Sequence, residues 1–288
     1  MIDTLAGAWS YDFVRTAVIG GALGSIALGV VGALVVAKGE VFLATGIAHA
    51  SYAGVGLGFF LGLDPTPWVT VAGVVAAVTM GLVRHVARTG TDTLISAMWG
   101  VGLSTGVILI DLTPGYTPNA RSYLFGSILA IPTETLVFLT ICDAVILVAV
   151  ALWYRPLVGL LADREFAAAR GMPVLAFELG LLALVALTVT VLIQVIGVIL
   201  LIAQLAIPAA LASRSARSLR GAMALATAIG AGMVLAGLAV SIAADVTSGP
   251  AIVCVSAACF GVATAAGGLR ARLRARGTAA RGAQRQPA

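Results

Sequence analysis

Residues 39–60 read GEVFLATGIAHASYAGVGLGFF. The stretch is apolar enough to lie in a bilayer, yet it holds His49 near its middle. Small residues crowd around it: Ala44, Gly46, Ala48, Ala50, Ser51, Ala53, Gly54, Gly56 and Gly58. About 20 apolar residues are what a helix needs to cross the hydrocarbon core. Small side chains let a second helix approach closely, or leave a narrow path beside the ring. An ionisable ring at that depth is costly, so it points to function more strongly than it would in a soluble core.

The rest of the chain agrees with lipid as the solvent. Of 288 residues, 60% are hydrophobic and 10% charged, against roughly 25% charged in soluble domains. Mean hydropathy is +1.09. Backbone groups in lipid must be satisfied internally, so the apolar runs are helices. The fold class expected is all-α, a polytopic transmembrane bundle in one domain over residues 1–268. Nine spans can be drawn, at 13–37, 42–62, 67–83, 93–112, 134–153, 174–192, 195–212, 221–243 and 250–268. Only Gln194 and Gly197 mark the break between the sixth and seventh, which leaves counts of eight or ten open. The first run, with Asp3, Asp12 and Arg15 around its start, fits a span better than a cleaved leader. The three cysteines, Cys142, Cys254 and Cys259, lack metal-site spacing and read as small apolar residues.

Basic residues test the count. Under nine spans, 15 of the 17 Lys and Arg fall on one side, from Lys38, Arg84 and Arg88 to the arginines of the tail. Only Arg15 and Arg121 fall elsewhere. The positive-inside rule then places the N-terminus outside and the C-terminus in the cytoplasm. The net charge of +5 thereby has a topological origin, and no nucleic-acid partner is implied. The tail, 269–288, is basic and without an apolar stripe, so disorder near anionic headgroups is expected.

Several polar residues interrupt the spans. His49 can ligate a metal ion, relay a proton, or serve as a buried hydrogen-bonding group. Thr45 lies one turn before it on the same face. Asp143 falls halfway along the fifth span and Glu178 near the start of the sixth, while Asp111 and Asp245 sit at outer ends. Gln194, Gln204 and Pro208 mark a region that either lines a passage or simply kinks a packing helix. The cytoplasmic loop 154–173, YRPLVGLLADREFAAARGMP, carries a short helical pattern that Asp163 can cap and Gly171 can stop. Phe166 projects from it among charges, so the helix either links two spans or docks a partner. The sequence has no Gly-rich phosphate loop and no HExxH, so ATP hydrolysis is not expected of this chain.

Four motifs in order give the chain a family likeness: ATGIAHASYAG (44–54), YLFGSIL (123–129), DREFAAARGMP (163–173), and QVIGVILLIAQLAIPAALA (194–212) with SGPAIV (248–253). Over about residues 15–265 it resembles the membrane permeases of ATP-binding-cassette importers for zinc and manganese. The resemblance implies a transporter subunit with no catalytic residues and no covalently bound cofactor. It implies a homodimer of permeases, two cytosolic ATP-binding subunits and an extracytoplasmic metal-binding protein, in a bacterial cytoplasmic membrane. It makes 163–173 a coupling helix, with Asp163, Arg164, Glu165, Phe166, Arg170 and Gly171 facing the ATPase. His49, Thr45, Asp143, Glu178 and Asp245 become candidates for the path of Zn2+ first and Mn2+ next, with Gln194, Gln204 and Pro208 as channel or gating candidates. The chain departs from the family pattern at Thr45 and Ser127, where aspartate is usual, and at Ala53, where proline is usual. Loss of two carboxylates weakens a hard-cation site. An iron-chelate permease and a non-transporting membrane assembly subunit are the competing readings.

Overall fold

A computed structural model describes residues 11–87, 91–115, 123, 124, 126, 128 and 131–283. The elements are all helices: α1 (Asp12–Lys38), α2 (Val41–Phe60), α3 (Pro65–Ala87), α4 (Thr91–Asp111), α5 (Thr133–Ala162), the short α6 (Arg164–Ala169), α7 (Val174–Ser213), α8 (Leu219–Ala244) and α9 (Ser248–Ala283). Eight helices among the described residues are long and apolar enough to cross a membrane. Large apolar side chains face outward as well as inward, with Val101 67%, Leu152 74% and Val262 70% exposed. Such a surface suits lipid and would be a liability in water.

The longest helix, α7, has 40 residues and would measure about 60 Å if straight. It breaks at Gly197, whose φ of 73° and ψ of 163° are not helical. Its neighbours fix the direction of each limb. In the first limb Leu179 lies over Gly81 of α3, Thr190 over Gly73, and Gln194 beside Thr66, so the limb runs antiparallel to α3. In the second limb Gln204 bonds Ser256 and Arg214 bonds Thr264, so the chain runs back alongside α9. Both limbs also reach α1, Leu192 against Gly24 and Leu205 against Gly32. The sixth and seventh expected spans are therefore two limbs joined by one residue, and the nine-pass course is kept.

A conformation with positive φ and ψ near 180° is essentially restricted to glycine. A second glycine guards it. Gly126 (φ 79°) sits so close that a Cβ there would lie 2.1 Å from the Ile196 carbonyl oxygen and 3.1 Å from the Gly197 nitrogen. The glycine of the YLFGSIL motif thus has a steric reason. Ser127 of that motif lies outside the described residues.

Two boundaries differ from the sequence reading. The fifth span does not stop at 153: α5 continues through Pro156 to Ala162, so it takes up nearly the first half of the expected loop 154–173, ahead of α6. Leu157 and Leu160 are buried and anchor that extension, and a proline near a helix end removes only one backbone bond. The last helix likewise runs on to Ala283, into the segment for which disorder was expected. Ala and Arg are among the strongest helix formers.

Gly126→Ala is expected to lower stability by about 3 kcal/mol or more, since the added methyl meets backbone that cannot yield. Gly39→Ala is the control, because Gly39 also has positive φ (74°) but nothing within 4 Å of a new Cβ, and it should cost only about 1–2 kcal/mol. Thermal unfolding of the purified variants in one detergent would rank them.

Candidate functional site

The small residues of α2 bring its neighbours to backbone contact. A Cβ on Gly54 would lie 2.2 Å from the Trp68 carbonyl oxygen of α3, and one on Gly56 would lie 2.3 Å from that of Gly106 in α4. From α4, Gly102 presses on Ala50. That contact lowers the preceding turn of α4, with Trp99, onto His49. The two ring centroids are 4.6 Å apart and the planes tilt by 37°.

His49 is 8% exposed. Its Nδ1 lies 2.9 Å from the Thr45 carbonyl oxygen. A carbonyl can only accept, so in the neutral ring Nδ1 carries the proton and Nε2 presents its lone pair. That is the tautomer and the second contact that metal-binding imidazoles use. Thr45 contributes through its carbonyl, while its hydroxyl donates to the Val41 carbonyl at 3.2 Å. Trp99 is 41% exposed, so His49 lies one side chain beneath the outer face of this chain.

The other candidates are not gathered around it, and the described residues contain no group of three His, Cys, Asp or Glu side chains able to hold a metal. Asp143 is on α5, which packs on α1 and α7 rather than on α2. It is 4% exposed, and neither carboxylate oxygen has a hydrogen-bond partner among the described residues. Asp245, with φ 52°, is the left-handed cap of α8, a conformation that aspartate tolerates. Gln194 meets Thr66 at 3.1 Å, at the end where α7 reverses. Gln204 donates to Ser256 Oγ at 3.0 Å and so ties the second limb of α7 to α9. Pro208, farther along the same limb, is buried within reach of Gly230 of α8.

Glu178 stands at the opposite end of the molecule from Asp245, among cations. Arg164 Nε is 2.9 Å from its Oε1 and Lys38 Nζ is 3.6 Å away. Lys38 also pairs with Glu40 at 3.1 Å, and Glu40 in turn with Arg84. Beside this cluster, α6 is built as its sequence requires. Asp163 caps it by accepting the Phe166 N–H at 3.0 Å, and Gly171 (φ 77°) ends it. Ala167 is the side chain it buries. Phe166 is 57% exposed, with the Arg170 guanidinium 4.8 Å from its ring centre. Glu165 and Arg170 are exposed beside it.

Sequence reasoning missed Trp99 and Glu40, and read Lys38 and Arg84 as marks of topology without seeing their ion pairs. Trp99 left a signal, because tryptophan favours membrane interfaces and this one is at mid-span.

Residues 10–267 match the family model described as the ABC 3 transport family. The chain belongs to that family. It is therefore a membrane transport subunit of the ABC type and not an enzyme. It is 36% identical to an uncharacterized membrane protein of Synechocystis sp., over 90% of this chain and 92% of that protein. It is 30% identical to the manganese transport system membrane protein MntC of Listeria monocytogenes, again over 90% of this chain and 92% of that one. Among solved structures it is similar to PsaBC from Streptococcus pneumoniae in complex with Fab: TM-score 0.82, 30% identity, 91% of this chain and 95% of that chain. An all-helical permease fold is thereby shared with a solved relative.

If Trp99 covers the imidazole, Trp99→Ala should speed modification of His49 by diethyl pyrocarbonate severalfold without unfolding the protein. Peptide mass spectrometry after timed labelling would measure it, with exposed His85 as internal reference.

Proposed function

We propose that this chain is the permease of an ATP-driven importer that passes a divalent transition-metal ion, Mn2+ or Zn2+, across the membrane past His49. The observation that carries this reading is the His49 geometry: a ring oriented by the Thr45 carbonyl, with Nε2 left as a lone pair inside a span. The relatives support the class of cargo, since MntC of Listeria monocytogenes is named for manganese transport. A single imidazole binds weakly, which a conduit needs because it must also release its cargo.

Two copies of the chain would form the path. His49 and Trp99 stand at an outer face, so one copy supplies at most one wall. The end that carries Lys38, Arg84, Arg164 and Arg214 is the cytoplasmic one by the positive-inside rule. There α6 offers Phe166 and its flanking charges to a cytosolic ATPase, one for each copy. A binding protein on the opposite side would deliver the ion.

In liposomes with the cognate ATPase, His49→Ala should lower Mn2+ or Zn2+ uptake by about tenfold or more. His49→Gln should restore assembly but not uptake, because an amide keeps polarity and is a poorer metal ligand. Wild-type uptake in His49→Ala at matched protein levels would refute the metal-path reading. Phe166→Ala should weaken binding of the ATPase by about 2 kcal/mol, read by co-purification across a concentration series. A reporter fused at Leu269 should be cytoplasmic and one at Asp64 external; finding both on one side would refute the orientation.

A further inference from the structure

The cations and carboxylates around Glu178 form a continuous alternating chain: Arg84, Glu40, Lys38, Glu178, Arg164. Its three inner members are nearly enclosed, with side chains 11%, 14% and 11% exposed for Lys38, Glu40 and Glu178. Lys38, Arg84 and Glu40 each sit where a helix end favours their charge. Lys38 and Arg84 are in the last turns of α1 and α3. Glu40 precedes the first turn of α2, and Glu178 is near the start of α7. Cations at helix C-termini and anions at N-termini are both favoured by the helix dipole. Arg164, the first residue of α6, is the exposed terminus of the chain, at 58%.

We propose that Glu178, Lys38 and Glu40 are positioning residues that lock the start of the His49 helix to α6, so that the two move as one body. The proposal rests on the reading of α6 as the ATPase contact and adds how a displacement there reaches the metal path. α6 is joined to α5 through Asp163 and packs on it; it buries Ala167 and reaches α7 through the Arg164 ion pair. At the far end of the chain, Glu40 leads directly into α2. His49 follows nine residues later, about 13 Å along one unbroken helix. A chain of enclosed ion pairs resists stretching, because each of its inner charges, held away from water, would lose one of its two partners. A displacement of α6 is then passed on by Glu178 and Lys38 to Glu40 and α2.

The test uses the transporter assembled with its ATPase in liposomes, with Mn2+ and Zn2+ as probes, reading ions taken up per ATP hydrolysed. Glu178→Gln and Glu40→Gln should each lower that ratio about tenfold. The pair Lys38→Met with Glu178→Gln should do no further harm, because both act through one linkage. A purely structural staple would lower the amount of assembled complex and leave the ratio alone; a wild-type ratio in Glu178→Gln overturns the proposal. A second measurement avoids altering the charges. Spin labels at Ala168 and Phe42, both exposed, in a background lacking Cys254 and Cys259, should keep one separation with and without ATP. A change of more than about 5 Å, one helical turn, overturns the proposal. Failure of the underlying reading looks different: Phe166→Ala would then leave ATPase binding intact, and the linkage would fall with it. An intact ratio in Glu178→Gln beside a defective Phe166→Ala removes the linkage alone.

Discussion

Backbone-to-backbone contact along α2 is the constraint on which the rest of this structure depends. In lipid, helices gain little from burying apolar side chains against one another, because the solvent is equally apolar. What remains is close van der Waals packing, and it is largest where no side chain intervenes. Gly54 and Gly56 permit it on two flanks of α2, towards Trp68 of α3 and Gly106 of α4. Larger residues would part the helices and lift Trp99 from His49. The imidazole is therefore positioned by residues with no chemistry of their own.

Much of the fold was legible because hydropathy and charge are one-dimensional. Span positions follow from uninterrupted apolar runs, which a chain in lipid cannot do without. The caps of α6 were legible for the same reason: Asp163 and Gly171 act on residues within a few positions of themselves. Contacts between distant segments were not legible. Glu178 looked like a polar intruder in a span; its partners are Lys38, far upstream in the chain, and Arg164. Gln204 could be read as lining a passage or as part of a packing helix, and its partner Ser256, 52 residues on in α9, was not legible. The sequence supplied His49 directly, but not its tautomer, which the Thr45 carbonyl sets, nor Trp99, which reaches it only because two helices meet at Gly102.

The two ends of the molecule solve different electrostatic problems. At the basic end, charges are numerous and are arranged in alternation, so each buried member has a neighbour of opposite sign. In the interior they are scarce. His49 uses a backbone carbonyl of its own helix, which needs no second helix and survives relative motion of the spans.

The single-residue reversal at Gly197 also bears on how the protein is made. Polar loops ordinarily give an emerging chain a place to pause between spans. Between Val174 and Ser213 there is none; 40 residues of almost unbroken apolar helix leave the ribosome together. A one-residue corner leaves the two limbs adjacent in space as they are in sequence, so they are suited to entering the bilayer as one hairpin, with Arg214, Arg217 and Arg220 following directly on it.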